Sequence, residues 1–120
     1  NHFVNKDSTI YLNVCAMYFD VLKDDYSLRE WFDMMIDSEI EQGNRIIKKD
    51  ITDHSYAIEG TTKGDKYFYS KTIYKKAYER DIIVIVKLEY IDSRRKEVET
   101  LLPNILKYIS INNKNNVVAN

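Results

Sequence analysis

The sequence predicts an α+β domain: an antiparallel β-sheet flanked by two main helices, with elements in the order β-α-β-β-β-β-α. Three observations lead there. Two segments carry apolar residues at helical spacing. The runs between them are rich in β-branched and aromatic residues and are joined by turns too short for a parallel crossover. The chain of 120 residues also holds only 3 glycines and 1 proline, where average usage would supply about 14. A chain so poor in turn-makers spends its length on regular elements. That length suits one domain, assigned to residues 1–111, followed by a polar, Asn-rich tail over 112–120.

Residues 10–20, which run from Ile10 through Cys15 to Phe19 and Asp20, form the first expected strand. Asp24-Asp25-Tyr26 ends that pattern, and Ser27-Leu-Arg-Glu30 reads as a capping box. In such a box the Ser hydroxyl satisfies one orphan amide, while the Glu reaches back to the amide of the cap. Leu28, Trp31, Phe32, Met35, Ile36 and Ile40 then lie on one helical stripe, and Gly43 is placed to close the helix in a left-handed cap. Strands follow over Ile46–Ile51, Ser55–Gly60, Lys66–Tyr78 and Ile82–Ile91. Thr52-Asp53-His54, Gly60 to Asp65 and Glu79-Arg80-Asp81 are the intervening turns, with Gly60 and Gly64 both assigned to the second. In the last strand Ile82, Val84, Val86, Leu88 and Tyr90 share one face. On the other face Ile83 and Ile85 give way to Lys87 and Glu89, so one end of that face should be covered and the other wet. A second helix begins near Asp92 or Ser93. Its stripe of Val98, Leu101, Leu102, Ile105, Leu106 and Ile109 keeps phase across Pro103, which favours one kinked helix over a late start.

Much chemistry is missing. The 18 basic and 19 acidic side chains nearly cancel, which argues against a general nucleic-acid binder. The single Cys15 has no partner for a disulfide and reads as a small buried thiol. No metal-ligand spacing occurs, and Asp24-Asp25 and Asp50/Asp53 are the nearest carboxylate groupings. Asp53-His54-Ser55 superficially offers a base beside a carboxylate and a hydroxyl. Neighbours on an extended segment point to opposite faces, so these three cannot form a triad with one another. Gly60-Thr-Thr-Lys-Gly-Asp-Lys66 lacks the order of a phosphate loop and leads into a strand, not a helix. No cofactor is implied. No apolar run approaches the ~20 residues of a membrane span. The chain begins at Asn1 rather than Met, which leaves room for an export signal removed from its N-terminus.

The 10 tyrosines are the remaining peculiarity. Four of them gather in Lys66-Tyr-Phe-Tyr-Ser-Lys-Thr-Ile-Tyr-Lys-Lys-Ala-Tyr-Glu-Arg80, where basic and aromatic residues interleave. A solvated sheet face explains this simply, since Tyr suits strands and Lys blunts aggregation. Exposed Tyr also offers large contact area at low entropy cost. Tyr67, Tyr69, Lys71, Tyr74, Lys75 and Tyr78 are therefore the candidate protein-contact residues. A nucleic-acid platform is disfavoured by the neutral charge, and Ser93-Arg-Arg-Lys96 is followed at once by Glu97 and Glu99.

Tyr26-Ser-Leu-Arg-Glu-Trp-Phe32, Ile82-Ile-Val-Ile-Val-Lys-Leu-Glu-Tyr90 and Leu101-Leu-Pro-Asn-Ile-Leu-Lys-Tyr-Ile109, taken in order, resemble the PsbP-like superfamily. That group includes the photosystem II subunit P, the Ran-binding Mog proteins and DcrB-type bacterial lipoproteins. The resemblance spans roughly residues 10–110 and is one of pattern. It implies an α/β/α sandwich around an antiparallel sheet, no catalytic residues, and an accessory role that is often exported. The expectation is a non-enzymatic interaction domain of an exported bacterial protein, periplasmic or at the cell surface, binding an unknown protein through its Tyr/Lys face or a sheet edge. The alternative is a carrier of apolar small molecules, with a pocket between the sheet and helix 27–42 lined by Trp31, Met34 and Met35. A weaker third reading is an enzyme that pairs His54 with a distant carboxylate.

Overall fold

The computed structural model describes residues 2–4, 9–19, 26–76 and 80–119, with side chains over 9–19, 26–76 and 80–107. The elements are β1 (His2–Val4), β2 (Ile10–Tyr18), α1 (Leu28–Glu41), β3 (Arg45–Ile51), β4 (Ser55–Thr61), β5 (Tyr67–Lys75), β6 (Ile82–Tyr90) and α2 (Arg95–Ala119), which follows a 3-10 turn at Asp92–Arg94. The strands form one sheet in the order β1-β2-β6-β5-β4-β3, every neighbouring pair antiparallel. This is the α+β class and element order that the sequence predicts, with a three-residue edge strand, β1, added in front.

The capping box is present. Glu30 N donates to Ser27 Oγ at 3.2 Å, and Ser27 N donates to Glu30 Oε1 at 3.3 Å. At the other end Asn44 N donates to Glu39 O at 3.1 Å and Gly43 N to Ile40 O at 3.0 Å. Together these make a Schellman motif, closed by Gly43 at φ +93°. Between its caps α1 buries Trp31, Phe32 and Ile36 against Phe19, Tyr56, Ile58, Phe68 and Ile83. The rings meet edge-on, Phe32 with Tyr56 at 5.1 Å and Phe19 with Trp31 at 6.4 Å. Helix and sheet here are closed by interlocking aromatics, each such side chain contributing about 1.5–3 kcal/mol by burial.

Alternation puts the other residues of the strands on the opposite face, under α2. There Val98 packs with Tyr69, Leu88 and Tyr90, while Leu102, Ile105 and Leu106 reach Leu12, Val84 and Val86. The two helices thus cover opposite faces, giving three layers. The wet end expected for β6 is instead partly enclosed. Lys87 Nζ lies 3.0 Å from Glu39 Oε1 and 5.7 Å from the Phe68 ring centre, tying β6 to α1.

Three local expectations are corrected. Gly60 is not a turn residue; it sits buried inside β4, where the backbone of β3 comes too close for any side chain. The turn itself is built on Thr62, whose Oγ1 accepts from the backbone N–H of Gly64 and Lys66. The segment assigned to a polar tail continues α2 as far as Ala119, with Pro103 inside the helix. Cys15 is half-buried rather than enclosed. Asp24-Asp25 lie outside the described residues.

Candidate functional site: an aromatic groove beside α2

In β5 alternation separates the tyrosines. Tyr67, Tyr69, Lys71, Ile73 and Lys75 share the α2 side of the sheet, while Phe68, Ser70, Thr72 and Tyr74 share the α1 side. Register then supplies neighbours. Tyr67 stands opposite Tyr90, and their rings stack at 5.8 Å with 18° between planes. Glu59 of β4 stands opposite Tyr69, which is 7% exposed. The first turn of α2 brings Arg95 over the Tyr67 ring at 5.0 Å, and Arg95 Nε lies 3.4 Å from Glu99 Oε1. On the far wall the ladder of β3 with β4 slips between Ile46 and Lys48, a bulge that leaves Ile47 65% exposed beside the groove.

These residues, with Val98 and Leu102, enclose a groove of about 90 Å³. That is about three times the ~30 Å³ share of one water in the liquid, and well below the ~300 Å³ at which drug-sized pockets begin. The space suits one side-chain tip. Its electrostatics are set by carboxylates around phenols. Burial first, then the charges of Glu59 and Asp50, push the Tyr69 hydroxyl from 10.0 up to about 12. Burial and Glu59 likewise raise Tyr90, partly offset by Arg95. Both phenols therefore stay protonated and neutral across the physiological range.

The predicted contact residues fare differently. Tyr67 and Tyr69 line the groove. Lys71 and Lys75 continue the same face, half-buried. Tyr74 does not belong to this surface. It lies on the α1 side, where its hydroxyl donates to Asp81 Oδ2 at 2.7 Å and its ring meets Phe19 edge-on at 5.9 Å. Tyr78 lies outside the described residues. The single Tyr/Lys face expected from composition is thus divided by the pleat, and Tyr69 is more wall than surface. The pocket expected under helix 27–42 is occupied by the aromatic cluster itself, and Met34 points outward, 45% exposed.

His54 is exposed, with its ring 5.6 Å from that of Tyr74, and no carboxylate bonds it among the described residues. No group of three metal-binding side chains occurs among them either. Sequence reasoning missed Ile47, Glu59, Tyr90, Arg95 and Glu99. Alternation in β6 placed Tyr90 with Leu88 and could have flagged it. The others need strand register and the seating of α2. No protein-family profile, curated protein or solved structure matches the chain.

Proposed function

We propose that the chain is a non-enzymatic interaction domain that binds another protein through the β3–β5 half of its α2-side sheet face, centred on the groove beside Tyr67. The observation that carries this reading is the offset of α2. Apart from the exposed Leu101, its described apolar side chains pack on β2, β6, Tyr67 and Tyr69, and their cluster reaches β4 only at Ala57. Ile47, Lys71, Ile73 and Lys75 fall outside those packed clusters and keep surface in water. An exposed isoleucine, Ile47, beside tyrosines and an arginine is a combination that suits an interface hot spot. The PsbP-like pattern adds an accessory role in an exported bacterial protein to the same proposal. The small-molecule carrier is less supported, because Phe19, Tyr56 and Phe68 fill the space it needs.

A photo-cross-linking side chain at Ile47 should capture a discrete partner protein in cells, whereas the same group at Met34 on the opposite side should not. Tyr67→Ala should lower the Ile47 yield. Capture from Met34 alone, or a yield indifferent to Tyr67, would overturn the assignment.

A further inference from the structure

Resting on that interaction reading, we propose that the groove receives a basic side chain, Lys or Arg, of the partner protein, with Glu59 as its counter-charge. The charges of the groove do not balance internally. Arg95 is engaged by Glu99 and by the Tyr67 ring. Glu59, half-buried in the wall, forms no ion pair or side-chain hydrogen bond among the described residues. Lys48 stands opposite it in the ladder and Lys71 on the neighbouring strand, yet neither pairs with it. A carboxylate half withdrawn from water and not held by a cation of its own chain is open to one supplied from outside.

Beside it Tyr69 lines the groove, its ring buried and its hydroxyl bonded to none of the described residues but open to the water of the groove. That oxygen can accept a hydrogen bond from an incoming donor. A protonated amine or guanidinium has N–H groups for both acceptors at once, the Glu59 carboxylate and the Tyr69 oxygen. The rest of the lining matches the rest of such a side chain. Ile47, Val98 and Leu102 can cover an aliphatic stem, and the Tyr67 and Tyr90 rings favour cations. Arg95 over Tyr67 shows that one of these rings already takes a guanidinium. The volume of about 90 Å³ admits a side-chain tip but not a metabolite. A side chain presented by a protein is therefore the occupant.

The test uses the whole chain and three probes: N-acetyl-argininamide, N-acetyl-lysinamide, and N-acetyl-citrullinamide as the neutral isostere of the first. Ring signals of Tyr67, Tyr69 and Tyr90 are followed by NMR. The two cationic amides should give saturable shifts in the millimolar range, and citrulline should bind about tenfold more weakly. Glu59→Gln, nearly isosteric, should weaken the cations about tenfold and leave citrulline unchanged. Equal affinity for arginine and citrulline, indifference to Glu59→Gln in a variant with unaltered signal dispersion, or absence of saturable shifts would overturn the proposal. If those tests fail while cross-linking from Ile47 persists, the interaction surface stands and only the chemistry of its occupant is wrong. If cross-linking fails as well, both readings fall.

Discussion

Gly60→Ala is the sharpest perturbation the structure offers. A Cβ on Gly60 would stand 1.8 Å from Arg45 O, 2.8 Å from Arg45 C and 3.0 Å from Phe68 Cε1. The first two atoms are backbone, so no rotamer change can relieve the clash. Either β3 moves away or its first residues leave the ladder. Losing two ladder hydrogen bonds costs about 1 kcal/mol each, and part of the burial of Ile46 adds about another 1 kcal/mol. The sum, about 3 kcal/mol, sits at the upper end of the range for overpacking and is a large fraction of a typical ~5–15 kcal/mol. With an unfolding entropy of ~2.1 cal/mol/K per residue over 120 residues, the melting temperature should fall by about 12 °C.

The assay is urea unfolding followed by the fluorescence of Trp31, the only tryptophan, which is 4% exposed and packed beneath the same sheet. Gly64→Ala is the control. Its Cβ would meet nothing nearer than Thr62 Oγ1 at 3.9 Å, so it should lie within about 0.5 kcal/mol of the parent or be slightly more stable. A Gly60→Ala protein as stable as the parent, or a Gly64→Ala protein equally damaged, would refute the close-approach argument.

Two further outcomes follow from buried polar groups. Thr72 is wholly buried, and its Oγ1 lies near enough to the Tyr56 hydroxyl to offset part of the rise that burial imposes on that phenol, yet it meets no partner at hydrogen-bond geometry among the described residues. Thr72→Val should therefore be neutral or stabilising by about 1 kcal/mol in the same urea assay, and a loss of that size would mean the hydroxyl is bonded. Burial pushes the Tyr69 hydroxyl up to about 12 in the folded chain, against 10.0 when unfolded. Its contribution is thus complete below pH 10, where both states hold the proton, and is lost as pH rises through about 12. Two units would be about 2.7 kcal/mol in full. Water in the open groove screens this to about 1–2 kcal/mol. Ultraviolet tyrosinate titration should show one late phenol that Tyr69→Phe removes, and an ordinary titration at Tyr69 would contradict the burial argument.

The fold was more legible than the site, for a physical reason. Capping and periodicity are local, so Ser27 to Gly43 announces its helix and both caps within seventeen positions. Alternation in Ile82–Tyr90 likewise foretells which residues meet α2. The groove depends instead on quantities that are not local. Glu59 faces Tyr69 only because the turn at Thr62 sets the register of β4 on β5, and Ile47 reaches the rim only through a bulge. Composition grouped six Tyr and Lys residues as one face, although the pleat sends Tyr74 to the side opposite Tyr67. Gly60 was misplaced for the same reason. Its role is a contact with Arg45, fifteen residues away in sequence, and no turn propensity reports that.

The two routes by which the proposed partner would dock, the sheet face and a sheet edge, are not equally available. β3 is the long edge strand, and pairing along it needs a regular run of free N–H and C=O groups. Its ladder is broken by the slip between Ile46 and Lys48, which twists the strand away from a flat template. Lys48 and Lys49 follow at once, both exposed, and an added strand would have to desolvate them. The same bulge that spoils the edge leaves Ile47 exposed beside Tyr67 and Tyr69. One irregularity thus interrupts the β3 edge as a template for strand addition and equips the face with its apolar rim. Binding across the face, with side chains inserted rather than backbone paired, is the mode this geometry favours.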